Sequence, residues 1–158
     1  MNLRDVIPTA ENSSNFNVVP ESITEVGTTL ENLKAAVCGE TGASANYAAC
    51  AAAAKEQGFD QIARLFEATS AAEQIHIGLE AGVIAEIEPG YERPAAPEAE
   101  GIATDLNLIA GALGEIYETS DMYPAFIKVA QEEGNKKAEF VFTRAKLAES
   151  VHAERYLA

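Results

Sequence analysis

The chain has 158 residues, 47% of them hydrophobic, and a formal net charge of −14; this suits one domain with a full core and excludes a disordered chain. So acidic a surface is a poor partner for nucleic acid or an anionic membrane, and no stretch is apolar for long enough to span a bilayer. The charge has a second source open to it, because carboxylates gathered around metal cations also count as unbalanced in a sequence tally.

Alanine and glutamate are abundant, β-branched residues are scarce and tryptophan is absent, which favours an all-α fold. Residues 1–27 (AENSSNFN, then VVPES) are polar and turn-rich, and read as an irregular N-terminal extension. No basic region followed by an apolar run marks a leader, so a cytoplasmic location is expected. Residues 28–158 are the folded domain. The first helix runs from about Thr28 to Gln57, with a capping box between Thr28 and Glu31 and Gly58 at its end. The second starts at Asp60, a good N-cap residue, and reaches about Ala85.

The segment EIEPGYERPAAPEAEG blocks helix with its prolines and forms a long connection. A third helix starts near Thr104 and ends before Gly134. Pro124 falls inside it and should bend it or interrupt its hydrogen bonding. Apolar residues still recur at helical spacing on both sides: Leu106, Ile109 and Leu113, then Phe126, Val129 and Ala130. The fourth helix runs from about Asn135 to Leu157. Short turn, long crossover, short turn is the connectivity of a ferritin-like four-helix bundle. A crossover of roughly 17 residues reaches about 55 Å when extended, enough to return along a helix of about 43 Å. It can do so within one subunit or into a neighbour as a swapped dimer.

The two halves repeat. Asn32, Leu33, Ala35, Gly39 and Glu40 fall on Asn107, Leu108, Ala110, Gly114 and Glu115. After a one-residue shift, Tyr47, Ala54, Glu56, Gly58, Phe66, Glu73 and His76 fall on Tyr123, Ala130, Glu132, Gly134, Phe142, Glu149 and His152. A duplicated helical hairpin with internal two-fold pseudo-symmetry accounts for this register. Within it, Glu73 and His76 lie at i and i+3 and share a helix face, as do Glu149 and His152. Glu40 and Glu115 occupy matching positions on the other two helices.

A single ExxH is ordinarily surface decoration. Two in register, with two partner glutamates and both histidines of the chain, point to a pair of metal ions about 3.5–4 Å apart. Ala35, Ala36, Gly39, Ala43, Ala71, Ala72 and Ala148 leave room for them. The halves differ at Glu118, one turn after Glu115, where the first half has Ala43. Glu118 reads either as an exposed glutamate or, through its shared face with Glu115, as a seventh ligand. Tyr47 and Tyr123 read either as hydrogen-bond donors to ligand carboxylates or as core tyrosines. Cys38 and Cys50, about 18 Å apart along one helix, cannot form a disulfide; they read as small core hydrophobes or as redox-sensing thiols.

The stretches ENLKAAVCGETGASANY…GFDQIARLFEATSAAEQIH and GEIYETSDMYPAF…EEGNKKAEFVF…AESVH resemble the helical domain of rubrerythrins, over about residues 28–157. The extra glutamate ahead of MYP is the mark that separates that family from plain ferritins and bacterioferritins. By position, the resemblance implies Glu40, Glu73, His76, Glu115, Glu118, Glu149 and His152 as ligands of two iron ions, with zinc or manganese as replacements. Tyr47 and Tyr123 match the family's tyrosines beside the ligands. The chain has no rubredoxin-type pair of CxxC motifs, so it looks like the short branch that includes sulerythrin-like and symerythrin-like proteins.

The implied function is a peroxidase that reduces hydrogen peroxide to water. Its electrons would come from an external donor such as a rubredoxin or another small redox protein. The resemblance also implies a homodimer and an exchange of His76 for Glu118 on redox change. The rival readings are a ferroxidase or O2-reducing oxidase, and a non-enzymatic metal-binding protein.

Overall fold

The computed structural model describes residues 21–158, and every regular element among them is helical. The order is α1 (Thr29–Glu56), α2 (Asp60–Ile87), α3 (Thr104–Tyr117), a π-helical turn (Glu118–Met122), α4 (Tyr123–Glu132) and α5 (Lys136–Leu157). The four expected helices are therefore present, the third divided by the π-helical turn. No helix among the described residues is long and apolar enough to cross a membrane. Residues 1–20 of the expected extension lie outside the described residues. Two compact units result, one of Lys34–Ala110 and one joining residues 21–33 with Gly111–Ala158.

In the Lys34–Ala110 unit, α1 and α2 form an antiparallel hairpin. The turn between them closes with Gly58 N–H on the Lys55 carbonyl (3.1 Å) and Phe59 N–H on the Ala54 carbonyl (2.8 Å), a Schellman arrangement that needs the positive φ of Gly58, 85°. Asp60 is the first helical residue rather than the N-cap; that position is taken by Phe59, whose side chain makes no capping bond. The preceding Schellman turn sets the backbone there, and the Asp60 carboxylate still opposes the positive end of the helix dipole.

The crossover runs back along α1 of its own chain. Near its start, Lys34 pairs with Glu88 at 2.6 Å and lies over the Tyr91 ring. At its far end the Gln57 amide donates to the Ile102 carbonyl (2.9 Å) and accepts from Thr104 N–H (3.0 Å). Between these ties Gly101 lies so close to α1 that a Cβ would come within 2.6 Å of the Ala49 carbonyl oxygen and the Ala53 methyl.

The other unit packs α4, α5 and the π-helical turn around Tyr123, Phe126 and Phe142, with ring centroids 5.5–6.4 Å apart. Its hairpin turn repeats the first: Gly134 N–H to the Gln131 carbonyl (3.1 Å) and Asn135 N–H to the Ala130 carbonyl (2.8 Å), with Gly134 at φ 71°. Asn135 caps α5 through Ala138 N–H. The Thr28–Glu31 capping box forms as expected, with bonds of 2.8 and 3.2 Å. Residues 22–24 meet Asp121: Ser22 Oγ, Ile23 N–H (2.9 Å) and Thr24 Oγ1 (2.9 Å) all donate to its carboxylate. Burial by itself raises the Asp121 carboxyl, but these bonds outweigh it and hold the group below the usual carboxylate range.

Equivalent positions of the sequence repeat carry equivalent bonds in each unit. Asn32 makes a paired amide contact with Gly27, and Asn107 makes the same contact with Ile102. Thr29 N–H bonds Glu133 and Thr104 N–H bonds Gln57. Ser44 Oγ donates to the Ser70 carbonyl and Thr119 Oγ1 to the Lys146 carbonyl. The last pair keeps the first register at Ser44/Thr119, whereas Tyr47/Tyr123 is one residue further on. The extra residue is thus taken up inside the π-helical turn, whose Tyr123 N–H reaches back to the Glu118 carbonyl; a π-turn is what one residue inserted into an α-helix produces. Pro124, with no N–H to give, follows directly and sits near the start of α4.

Substituting Gly101 by valine pushes the crossover off α1. We expect a loss of about 1–3 kcal/mol, seen as a lower urea midpoint at unchanged m-value.

Candidate metal centre

α1 supplies Glu40 and α2 supplies Glu73 and His76. His76 Nδ1 lies 2.9 Å from Glu73 Oε2 and 3.5 Å from Glu40 Oε1. Both glutamates are wholly shielded from solvent and His76 is 6% exposed. In the other unit, α3 supplies Glu115 and α5 supplies Glu149 and His152. There His152 Nδ1 lies 2.7 Å from Glu149 Oε2 and 3.3 Å from Glu115 Oε2, again with both glutamates at 0% exposure. The ligand atoms of Glu40, Glu73 and His76 lie within 4.8 Å of one another, as do those of Glu115, Glu149 and His152. Helical i, i+3 spacing aims each glutamate–histidine pair at one point, and the facing helix of each unit brings the second carboxylate.

Carboxylates buried this deeply in a helical core require cations close by. A set of carboxylate oxygens and imidazole nitrogens suits first-row divalent metals, iron among them. Of the small residues expected to leave room, Ala36 is buried and Ala43, Ala72 and Ala148 are partly so, whereas Ala35, Gly39 and Ala71 face solvent.

Glu118 opens the π-helical turn and is partly exposed; it is not among the residues gathered in these clusters. Tyr47 is buried and stacks on Phe66 at 6.0 Å; Tyr123 is buried against Phe126 and Phe142. Both rings are packed in the interior of their units. Cys50 is buried and its thiol is pushed up by desolvation, as for a small core hydrophobe, but Cys38 is exposed; its neighbours in sequence gave no sign of this, because α1 is alanine-rich on every face.

Besides Asp121, two buried charged groups are not marked out by the sequence patterns above. Glu80, at 0% exposure, continues the Glu73–His76 face by one further turn, a spacing visible in the sequence. Lys146 is 5% exposed, and burial lowers its pKa to about 8; nothing in the local sequence distinguishes it from the exposed lysines.

A family model described as rubrerythrin matches residues 31–158. The chain belongs to the rubrerythrin family. It is 68% identical over 158 residues to nigerythrin of Nitratidesulfovibrio vulgaris, covering all of this chain and 78% of that protein. It is 37% identical over 132 residues to a rubrerythrin of Porphyromonas gingivalis, covering 82% of this chain and 64% of the relative. A structure of nigerythrin in the fully reduced, all-ferrous state superposes with a TM-score of 0.89 at 68% identity, over 99% of this chain and 78% of that one; a mixed-valence nigerythrin structure gives 0.87. The chain accordingly has the all-α four-helix bundle of those structures, and its cofactor is a di-iron site.

Replacing His152 by alanine removes the imidazole from one cluster only. The expected result is roughly half the tightly bound iron of the parent chain, measured by elemental analysis after dialysis, with a smaller rise in melting temperature on metal addition.

Proposed function

We propose that this rubrerythrin-family chain is a peroxidase that reduces hydrogen peroxide to water. The observation that carries the reading is the pair of Glu/Glu/His clusters, each built by the same helical spacing, in a chain whose relatives are di-iron proteins. Glu40, Glu73 and His76 hold one iron and Glu115, Glu149 and His152 the other, as parts of one di-iron centre, with Nδ1 the ligating atom of each imidazole. When bound, the centre supplies the two electrons that reduce the O–O bond, and an external donor such as a small redox protein restores them.

The residues divide the electrostatic work. Four ligand carboxylates match the charge of two divalent cations, so the reduced site is balanced without Glu118. Oxidation raises the cationic charge and favours one more anion. Glu118 is the group suited to supply it: it is partly exposed, lies outside the two clusters, and is carried on a π-helical turn three residues after Glu115. His76, a neutral ligand, is the one to yield. Tyr47 and Tyr123 donate their hydroxyls to ligand carboxylates and fix their orientation. The working unit is a homodimer.

Glu118→Ala is expected to keep its iron and lose peroxide turnover by at least about tenfold, the scale of one displaced charge at a metal site. Stopped-flow oxidation of the ferrous protein should be faster with hydrogen peroxide than with O2. Equal peroxide rates in the variant, or a preference for O2, would contradict the reading.

A further inference from the structure

The two halves of the chain differ most in a single turn. Glu118 replaces Ala43 there, and the residue inserted between Thr119 and Tyr123 has no counterpart between Ser44 and Tyr47. The turn is held on three sides. Thr119 Oγ1 donates to the Lys146 carbonyl of α5 at 2.9 Å. Ser120 Oγ donates back to the Ile116 carbonyl of α3. Asp121, 5% exposed, is gripped from outside the helix by Ser22, Ile23 and Thr24, some 98 residues away in sequence. Thr24 Oγ1 also lies 3.0 Å from the hydroxyl of Tyr117, the residue just before Glu118. The arm therefore spans the turn, touching Tyr117 on one side of Glu118 and Asp121 on the other.

We propose that residues 22–24 and Asp121 form a latch that fixes the π-helical turn and so positions Glu118. This rests on Glu118 being the mobile ligand, as argued above; Asp121 is a positioning residue that acts through it. The physical case is local. A π-turn has poorer backbone geometry than an α-helix and persists where its surroundings hold it. The arm offers three donors to one carboxylate, and such charge-assisted bonds are the strong ones. Both Asp121 oxygens are engaged, Oδ1 by two hydroxyls and Oδ2 by a backbone N–H. With the latch closed, Glu118 can change its side-chain direction while its backbone stays put. With it open, the turn itself moves.

The test compares the whole chain with three variants. These are Asp121→Ala, the arm double variant Ser22→Ala with Thr24→Val, and Asp121→Asn, whose amide can still serve the N–H and both hydroxyls. Amide hydrogen exchange of residues 118–123 is read in the metal-free protein. The iron-loaded protein is read for ferric absorption and peroxide turnover. The latch predicts exchange faster by roughly ten- to a hundredfold in the first two variants, an altered ferric spectrum, slower turnover at unchanged iron content, and substantial recovery in Asp121→Asn. The arm variant leaves the helix sequence intact, so its result does not depend on whether Asp121→Ala folds.

Parent-like exchange in the arm variant overturns the latch. Faster exchange with a parent-like spectrum and turnover overturns its role in positioning, provided Glu118→Ala is itself impaired. A Glu118→Ala variant indistinguishable from the parent instead overturns the ligand reading, and the exchange data alone then decide whether the latch exists.

Discussion

The constraint on which this structure depends is the cost of placing ionised carboxylates in a helical core. Glu40, Glu73, Glu115 and Glu149 are all at 0% exposure, where an uncompensated carboxylate is several kcal/mol less stable than in water. Cations supply what the imidazoles alone do not, so metal bound at these carboxylates is expected to stabilise the fold. The demand reaches outward from the ligands. The buried residues of α3 are Thr104, Asn107, Gly111, Ala112 and Glu115, all small or polar. Three of its large apolar residues, Leu106, Ile109 and Leu113, are each about half exposed, while Leu108 and Ile116 are half-buried.

The sequence repeat gives so short a chain two such clusters. One hairpin plan carries its Schellman turn, its asparagine clasp, its hydroxyl-to-carbonyl tie and its ExxH helix, and each recurs in the second half at the matching position. A metal site needs more than balanced ligands, however; redox chemistry gains from one group that can respond. The second half departs from the plan in the π-helical turn. There an inserted residue, an added glutamate and a following proline coincide, and a segment of the N-terminal arm holds the turn from outside.

Much of this was legible because it is local. Helix ends followed from Thr28 and Gly58 and their capping chemistry, the two glutamate–histidine pairs from i, i+3 spacing, and Glu40 and Glu115 from their matching positions in the repeat. The one-residue slip in the repeat was visible as a misalignment, and Pro124 announced an interruption nearby, but neither says that the helix widens to a π-turn. What stayed hidden was long-range or two-sided. The grip of Ser22 and Thr24 on Asp121 joins segments with no sequence relation. The exposure of Leu106, Ile109 and Leu113 departs from the usual rule that the apolar stripe faces in; the buried positions of α3 are taken by small or polar residues and Glu115. Asp60 looked like a cap and is instead the first helical residue, since the Schellman turn had already set the backbone at Phe59.

The most direct test is diffraction from crystals of the iron-loaded chain at wavelengths on either side of the iron absorption edge. The account predicts two anomalous peaks about 3.5–4 Å apart, one ligated by His76 and the other by His152, with carboxylates of both clusters around them. A single peak, or iron bound away from these histidines, would contradict it.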